Sequence, residues 1–546
     1  MMTTPRIKRR DLLKSGAAIA GTMAVGLPTA AWSAGKPVEA PNLLTATAQF
    51  DPVRPEAARL ISQAAKQIGF GVEATPQDYN LGIQKVIKEH DYDMFLVLLT
   101  GQSVRIDPDV FIHKVHHSSN YRSGGFNWTG YNNPDVDALA AAQQLEMDPE
   151  KRRELVHKAQ VQIAADQPEN ALVYPAMTNA YRSDRIGNLT PQMGEGIGSL
   201  WTDVSMTVLK GDGYVRTGAT VALKNLNPIA ANDANEFKEL RMIYDSLFQV
   251  DPSGKAVPWA AESHNLVDDT TIEVTIRDGM KWHDGQPVTA QDVKFSFDYQ
   301  KKWKAPFFVS SLAKIESAEV IGKRTVRFKL TDRFAPLFAN LFSALMLIPE
   351  HIWKDIPEKV DVDDPLNFPN LTPVGSGPFK FDYWDRGKEL KVSANTAHHM
   401  APKCAGVLRI VYGSHDAMAA AIEKGECDRT RYILKPNLME ALDKVDGCVG
   451  KGYPAHGFYC LSYNMMKPPF NNATIRQAMQ YVIPRELIRD VVLSGHADSG
   501  GSVIAPVNGF WHNAEVKAPS QDLDKAKKLL ADAGFTWVGG KLHYPA

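Results

Sequence analysis

The chain of 546 residues carries 61 basic and 62 acidic side chains, a formal net charge of −1, with 44% hydrophobic and 23% charged residues. That is the composition of an ordinary globular protein long enough for more than one domain. With no basic excess to displace counterions from a phosphate backbone, it argues against nucleic acid as a partner.

In chain order, the first segment sets the compartment. Residues 1–14 are basic through Arg6, Lys8, Arg9, Arg10 and Lys14, a short apolar run covers Ala17–Leu27, and Pro28 precedes the small residues Thr29, Ala30, Ala31, Ser33 and Ala34. This three-part plan over residues 1–34 is that of a secretory signal, with an apolar run too short to span a bilayer. Arg9-Arg10-Asp11-Leu12-Leu13-Lys14 resembles a twin-arginine signal, which implies the twin-arginine export machinery as a partner and the periplasm as the destination. Cleavage after Ala31 and cleavage after Ser33 both satisfy the small-residue rule. Four cysteines in an oxidising compartment, with no C-x-x-C pair, are expected to form disulfides rather than to ligate metal. No later stretch reaches 18 uncharged apolar residues, so a soluble mature protein is expected.

Helical and strand periodicities then alternate. Ala57, Leu60, Ile61, Ala64 and Ile68 mark one face of a helix over Arg54–Ile68. Met94–Leu99 is an unbroken apolar run, which suits a strand buried on both faces. Asp148 and Pro149 supply an N-cap and a first-turn proline for a helix with Leu155, Ala159 and Ile163 inward. Ile272, Val274 and Ile276 alternate with polar neighbours, and Val326, Phe328 and Leu330 repeat the pattern after a Gly322-Lys323 turn, predicting two half-buried strands. Asp522–Ala533 is helical, with Leu523, Ala526, Leu529 and Leu530 inward and Gly534 at its end. The class is α/β.

Catalytic motifs are missing: there is no G-x-S-x-G, H-E-x-x-H or G-x-x-x-x-G-K-[ST]. His113 and His117 would share a helix face beside His116, but no carboxylate or cysteine stands at ligand spacing, so a hydrogen-bonded or surface role is expected. Gly375-Ser376-Gly377-Pro378 reads as a structural turn, because the proline removes an amide donor from any phosphate cradle. No cofactor is expected.

Several segments together carry a resemblance. Trp259-Ala260-Ala261-Glu262-Ser263, Asp278-Gly279-Met280-Lys281-Trp282-His283-Asp284-Gly285-Gln286-Pro287-Val288, Val374-Gly375-Ser376-Gly377-Pro378-Phe379, Leu461-Ser462-Tyr463-Asn464 with Lys467-Pro468-Pro469-Phe470, and Leu523–Phe535 resemble family 5 of the bacterial extracellular solute-binding proteins. Asn80–Met94, Gly130–Asp137 and Asp148–Pro168 resemble that family's C-terminal segments yet come first here, while Thr220–Leu223 with Leu226-Asn227-Pro228 resembles its beginning. The resemblance therefore implies a circularly permuted two-lobe α/β binding protein with two interlobe crossovers, near Asn170–Pro175 and Phe458–Asn464. One lobe would be continuous, residues 176–459, and the other assembled from 43–174 plus 460–546. Ser183–Thr217 would be a surface connector joining the family's old termini, and Leu43–Ala48 a strand of the lobe that holds Asp522–Ala533 and Met94–Leu99.

The resemblance also implies a function: a periplasmic, monomeric component of an ABC importer that captures a peptide-like molecule, delivers it to a membrane permease and performs no chemistry. A sensor docking on a receptor and an exported enzyme are the alternatives. Family ligand contacts map to Gln102, Arg105 and Asp107 in the loop after Met94–Leu99, and to Asn225, Asn227, Trp384 and Trp511. Where peptide-binding members place an aspartate for the ligand's ammonium, this chain has Leu99 and Gln102 with Arg105 nearby; either Asp107 takes over that role and Arg105 is a solvated loop residue, or the ligand is neutral, anionic or an N-blocked peptide. Cys404 opens the strand Val407–Tyr412 and Cys427 follows the helix Ala417–Lys424, while Cys448 and Cys460 bracket a crossover; the expected bridges are Cys404–Cys427 and Cys448–Cys460.

Overall fold

The computed structural model describes residues 35–231, 234–359 and 363–546; residues 1–34, read above as a twin-arginine-type signal, lie outside the described residues. Strands β1 (Asn42–Ala46), β2 (Glu73–Gln77) and β3 (Met94–Leu99) are parallel, with β1 between the other two and Leu43 opposite Met94. Parallel neighbours need a crossover, and helix α1 (Val53–Gln67) makes it between β1 and β2. Successive side chains take opposite faces. Leu43, Met94 and Leu96 enter one apolar cluster with Ala57 and Ile61 of α1, while Leu44, Phe95, Val97 and Leu99 enter a second with Ala159 and Ile163 of α2 (Pro149–Asp166). Cover on both faces accounts for the unbroken apolar run. Asp148 caps α2, accepting from the amide of Glu150 at 2.9 Å.

The next strand, β4 (Glu169–Arg182), is 14 residues long and belongs to two groups of strands. Its first part pairs with β15 (Phe458–Tyr463) and β16 (Ala497–Ser499); from Ala176 onward it pairs instead with β14 (Cys448–Pro454) and β13 (Arg429–Thr430). On the second side stand β5 (Tyr214–Ala219), β10 (Phe379–Asp385), β11 (Glu389–Ala394) and β12 (Gly406–Val411). The resulting sheet has twelve strands in the order β10-β11-β12-β5-β13-β4-β15-β3-β1-β2, with β14 and β16 also on β4. A separate antiparallel sheet, β6 (Ala261–Asp268), β7 (Thr271–Ile276), β9 (Thr325–Leu330) and β8 (Ile315–Val320), buries Ile272, Val274, Val326 and Phe328 in the core of the β5 side. The alternation read from the sequence marks these inward faces.

The C-terminal helix (Leu523–Asp532) lies on the β3 side, with Ala526 and Leu530 in the cluster that holds Leu43 and Met94. Residues 36–38 pair with 542–544: the Val38 amide donates to the Leu542 carbonyl at 2.8 Å and the Tyr544 amide to that of Lys36 at 3.0 Å.

Two expectations are corrected here. Ser183–Thr217 is no surface connector. Ile197, Leu200 and Val204 are in the core, and Glu195, Ser199, Thr202 and Asp203 are fully buried, because helix α3 (Leu200–Ser205) packs its acid against arginines of the sheet. The disulfides are also absent, since all four thiols are free and buried. Cys448 lies opposite Arg182 whereas Cys460 lies opposite Ala171, so 182 − 171 = 11 residues of β4 separate them. At about 3.3 Å per residue that is roughly 36 Å, against a Cα limit of about 7 Å. Cys404 and Cys427 are in different apolar clusters. Burial pushes the thiols of Cys404 and Cys427 up to about 11 and about 12, which disfavours the reactive thiolate.

Candidate functional site

Strand directions locate the site. β3 is antiparallel to β15, with Leu99 opposite Phe458, and β15 is antiparallel to β4, so β3 ends beside the middle of β4. β13 is antiparallel to β4 and parallel to β5, and β5 is parallel to β12, so these three also run toward that middle from the other side. The carboxyl ends of two parallel strand groups thus converge on Tyr174–Met177, and such ends are where open α/β sheets bind ligands.

The β3 side contributes Thr47–Asp51 and Thr100–Arg105. Phe50 stacks on Tyr79 at 4.1 Å, and the Arg54 guanidinium lies 5.4 and 5.3 Å from their ring centres while Nε donates to Asp51 at 2.8 Å. Arg54 Nη1 is buried with no partner. The β5 side contributes Tyr432, just past β13, and helix α4 (Ala234–Ile243) with Lys238 and Arg241. The two sides are bonded together. Gln102 Nε2 donates to Tyr432 Oη at 2.8 Å, and the Ser103 amide and hydroxyl donate to Glu195 Oε1 at 3.0 and 2.5 Å. Arg241 holds the same carboxylate at 2.9 and 3.0 Å and also donates to Ser103 Oγ. Lys238 Nζ stands 4.7 Å from the Tyr432 ring centre and 3.9 Å from Glu195. Glycine is required at Gly194, where φ is +77° and a Cβ would collide with the carbonyl of Gly101.

Burial alone would raise Glu195, but Arg241 and Lys238 outweigh it and hold the carboxyl at about 2. Burial takes Lys238 down to about 8 against the pull of Glu195. Behind these residues lies a buried ion network. Asp203 pairs with Arg429 and, through both oxygens at 2.7 Å, with Arg431; Glu239 accepts from Arg431 at 3.1 Å and from Arg409 at 2.9 Å. The network fixes β13 and hence Tyr432.

The residues expected at the ligand are not all brought here. Gln102 and Arg105 are, with Arg105 Nη1 donating to Thr100 Oγ1 at 3.0 Å. Asp107 is committed inside its own side, bidentate to Arg152 at 2.8 and 2.6 Å, with Trp511 4.9 Å from that guanidinium. Asn227 is structural: it donates to the carbonyls of Pro365 and Phe368 at 2.8 and 2.9 Å and accepts from Ile229, while Asn225 accepts from the Asn227 amide. Trp384 is on β10, the outer edge strand, five interstrand steps from β4, roughly 24 Å at about 4.8 Å each. Of the three histidines, His116 is buried 3.6 Å from Glu169 and His113 lies against His117 at 4.6 Å. No group of three or more potential metal ligands occurs among the described residues. Tyr432, Glu195, Lys238, Arg241 and the Phe50–Tyr79 pair carried no sequence signal of their own beyond the charged Arg429-x-Arg431 pattern on a short strand.

A profile of the bacterial extracellular solute-binding proteins, family 5 middle region, matches residues 255–544. The dipeptide-binding protein of Escherichia coli K12 is 28% identical over 304 residues, 52% of this chain and 55% of its own length. The glutathione-binding protein GsiB of Pectobacterium atrosepticum is 26% identical over 330 residues, 59% of this chain and 61% of its own. The chain thus spans little more than half the length of these curated relatives. Among solved structures, NikZ of Campylobacter jejuni in complex with Ni(L-His) superposes with a TM-score of 0.51 at 20% identity, covering 62% of this chain and 66% of that one. The ABC transporter substrate-binding protein CtaP of Listeria monocytogenes does so at 0.50 and 26%, covering 60% and 66%.

Proposed function

The chain belongs to family 5 of the bacterial extracellular solute-binding proteins, and from that premise we propose that it is the periplasmic solute-binding component of an ABC importer. It captures a peptide or peptide-like molecule between two lobes, 43–174 plus 460–546 and 176–459, and hands it to a membrane permease without chemical change. The observation that carries this reading is the convergence of both strand groups on the middle of β4, where Gln102 and Tyr432 meet from opposite sides. Ligand contacts in such a cleft reward the closed form, and a permease reads the closed shape. Export by the twin-arginine machinery belongs to the same reading, as does a monomeric state.

A circularly permuted order is also part of the proposal. It is supported by the pairing of residues 36–38 with 542–544, and by the fact that the likeness to the two curated relatives covers only 52% and 59% of this chain.

The test is thermal unfolding of the exported protein against di- and tripeptides, glutathione, opines, sugars and metal chelates. A selective rise in melting temperature is expected for a peptide or peptide-like compound, by mass action; no rise with any of them, or product formed from one, would overturn the reading. Arg105→Ala should weaken an anionic member of the panel by about 2 kcal/mol, some thirtyfold, the scale of a charge-assisted hydrogen bond. The melting temperature of the empty protein should stay where it is. An unchanged dissociation constant would reduce Arg105 to a loop residue.

A further inference from the structure

Resting on that reading of the cleft, we propose that the ligand carries an anionic group, a carboxylate or a phosphate, seated in a cationic hollow beside Arg105. The hollow lies between residues 105–126 of the β3 side and residues 306–310 of the β5 side. Arg105, Lys114 and Arg122 line it, Phe126 and Phe307 form apolar walls, and no carboxylate is among its lining residues.

The nearby acids are already committed. Asp107 is bound to Arg152, and Asp109 accepts from the side-chain amides of Gln143 and Gln144 at 2.7 and 2.8 Å. The side chains of Lys114 and Arg122 form no hydrogen bond or ion pair with any described residue. Lys114 is half-buried, and burial lowers its pKa while Asp109 acts in the opposite sense. A half-buried cation with no direct ion-pair partner is incompletely compensated, since Asp109 and Asp107 offset only part of the effect of burial and of Arg105, and an anion brought by the ligand supplies the direct partner. Arg105 commits only Nη1, to Thr100.

The geometry also ties charge recognition to closure. Lys114 Nζ lies 5.2 Å from the ring centre of Phe307, which belongs to the opposite side. An anion held between Arg105 and Lys114 is therefore shielded from water only when the two sides meet. Recognition then favours the closed form selectively, as a ligand must to shift a two-state equilibrium.

Two measurements on the exported protein test this. In thermal unfolding, 10 mM pyrophosphate against sodium chloride of equal ionic strength should raise the melting temperature by about 2–3 °C if it stands near a hundred times its dissociation constant. The rise should vanish in Lys114→Gln/Arg122→Gln and persist in Lys114→Arg, which keeps the charge and reports on folding. No rise, or an equal rise in the neutralised variant, would overturn the hollow. In calorimetric titration, Ala-Phe-Glu and Ala-Phe-Ala should bind at least about tenfold more tightly than Ala-Phe-Ala amide, with the advantage lost in Lys114→Gln. If none of the three peptides binds while pyrophosphate does, the peptide reading of the cleft falls and the anion site stands.

Discussion

Asp203→Ala is expected to lower stability by about 3–5 kcal/mol, because it leaves two arginines buried without their counter-charge. Arg429 and Arg431 are 0 and 2% exposed at the side chain, and Asp203 is the acid they share. Arg429 would retain Thr217 and the carbonyl of Ile197, and Arg431 would retain Glu239, but neither arrangement neutralises both cations. The partly exposed pair Arg327–Glu273 on the small sheet is the control; its removal should cost less than about 1 kcal/mol. Urea unfolding of both variants checks the contrast, and equal losses would mean that the buried network contributes no more than a surface pair. Asp203→Ala should also weaken ligand binding, since β13 carries Tyr432 into the cleft.

The second large effect is expected from Glu195→Ala. It removes the one carboxylate that joins Ser103 on the β3 side to Arg241 and Lys238 on the β5 side. Two buried cations lose their carboxylate, so a stability loss of about 3 kcal/mol or more follows, and the sides lose one of their ties, the bonds of Gln102 to Tyr432 and of Arg241 to Ser103 remaining. Small-angle scattering should then show a wider particle without ligand, and a radius of gyration unchanged from wild type would show that Glu195 does not hold the sides together. The same residue sets an acid limit. Its carboxyl is held at about 2 against an ordinary 4.5, so its contribution is full above pH about 4.5 and disappears as the pH falls toward 2. That amounts to on the order of 3 kcal/mol. His456, fully buried between β14 and β15, is lowered by burial to about 4 from 6.5. Its depressed value works in the same direction, removing stability between pH 6.5 and 4.

Local pattern carried far where local physics decides. Met94–Leu99 is a strand over the residues expected, Asp148 caps α2, and the alternations at 272–276 and 326–330 give the inward faces of β7 and β9, since period and capping act within a few residues. The segment at 183–217 misled because the resemblance implied that it joins the family's old termini, and chain ends lie at the surface. Its polar groups are instead satisfied by arginines more than 200 positions away, as with Asp203 and Arg429. The disulfides failed for a related reason: chain order placed Cys448 and Cys460 close, while β4 holds them at its two ends. In the site, Gln102 and Arg105 were legible because they follow a recognisable strand. Tyr432, Lys238 and Glu195 were not, because nothing short of the meeting of two strand groups brings them together.

The shared core of β1 and the C-terminal helix has a consequence for biosynthesis. The cluster that contains Leu43, Phe70 and Val72 is completed by Ala526, Leu530 and Leu542, so its earliest-made and latest-made parts are separated by most of the chain. At about 5–20 residues per second a ribosome takes roughly half a minute to a minute and a half to make the intervening stretch. The nascent β3 side waits through that interval with an open apolar face, while the β5 side, encoded in the middle, has all its strands in hand. The molecule is thus built from its centre outward in time, and β1, among the first of its strands to be made, is among the last to be covered.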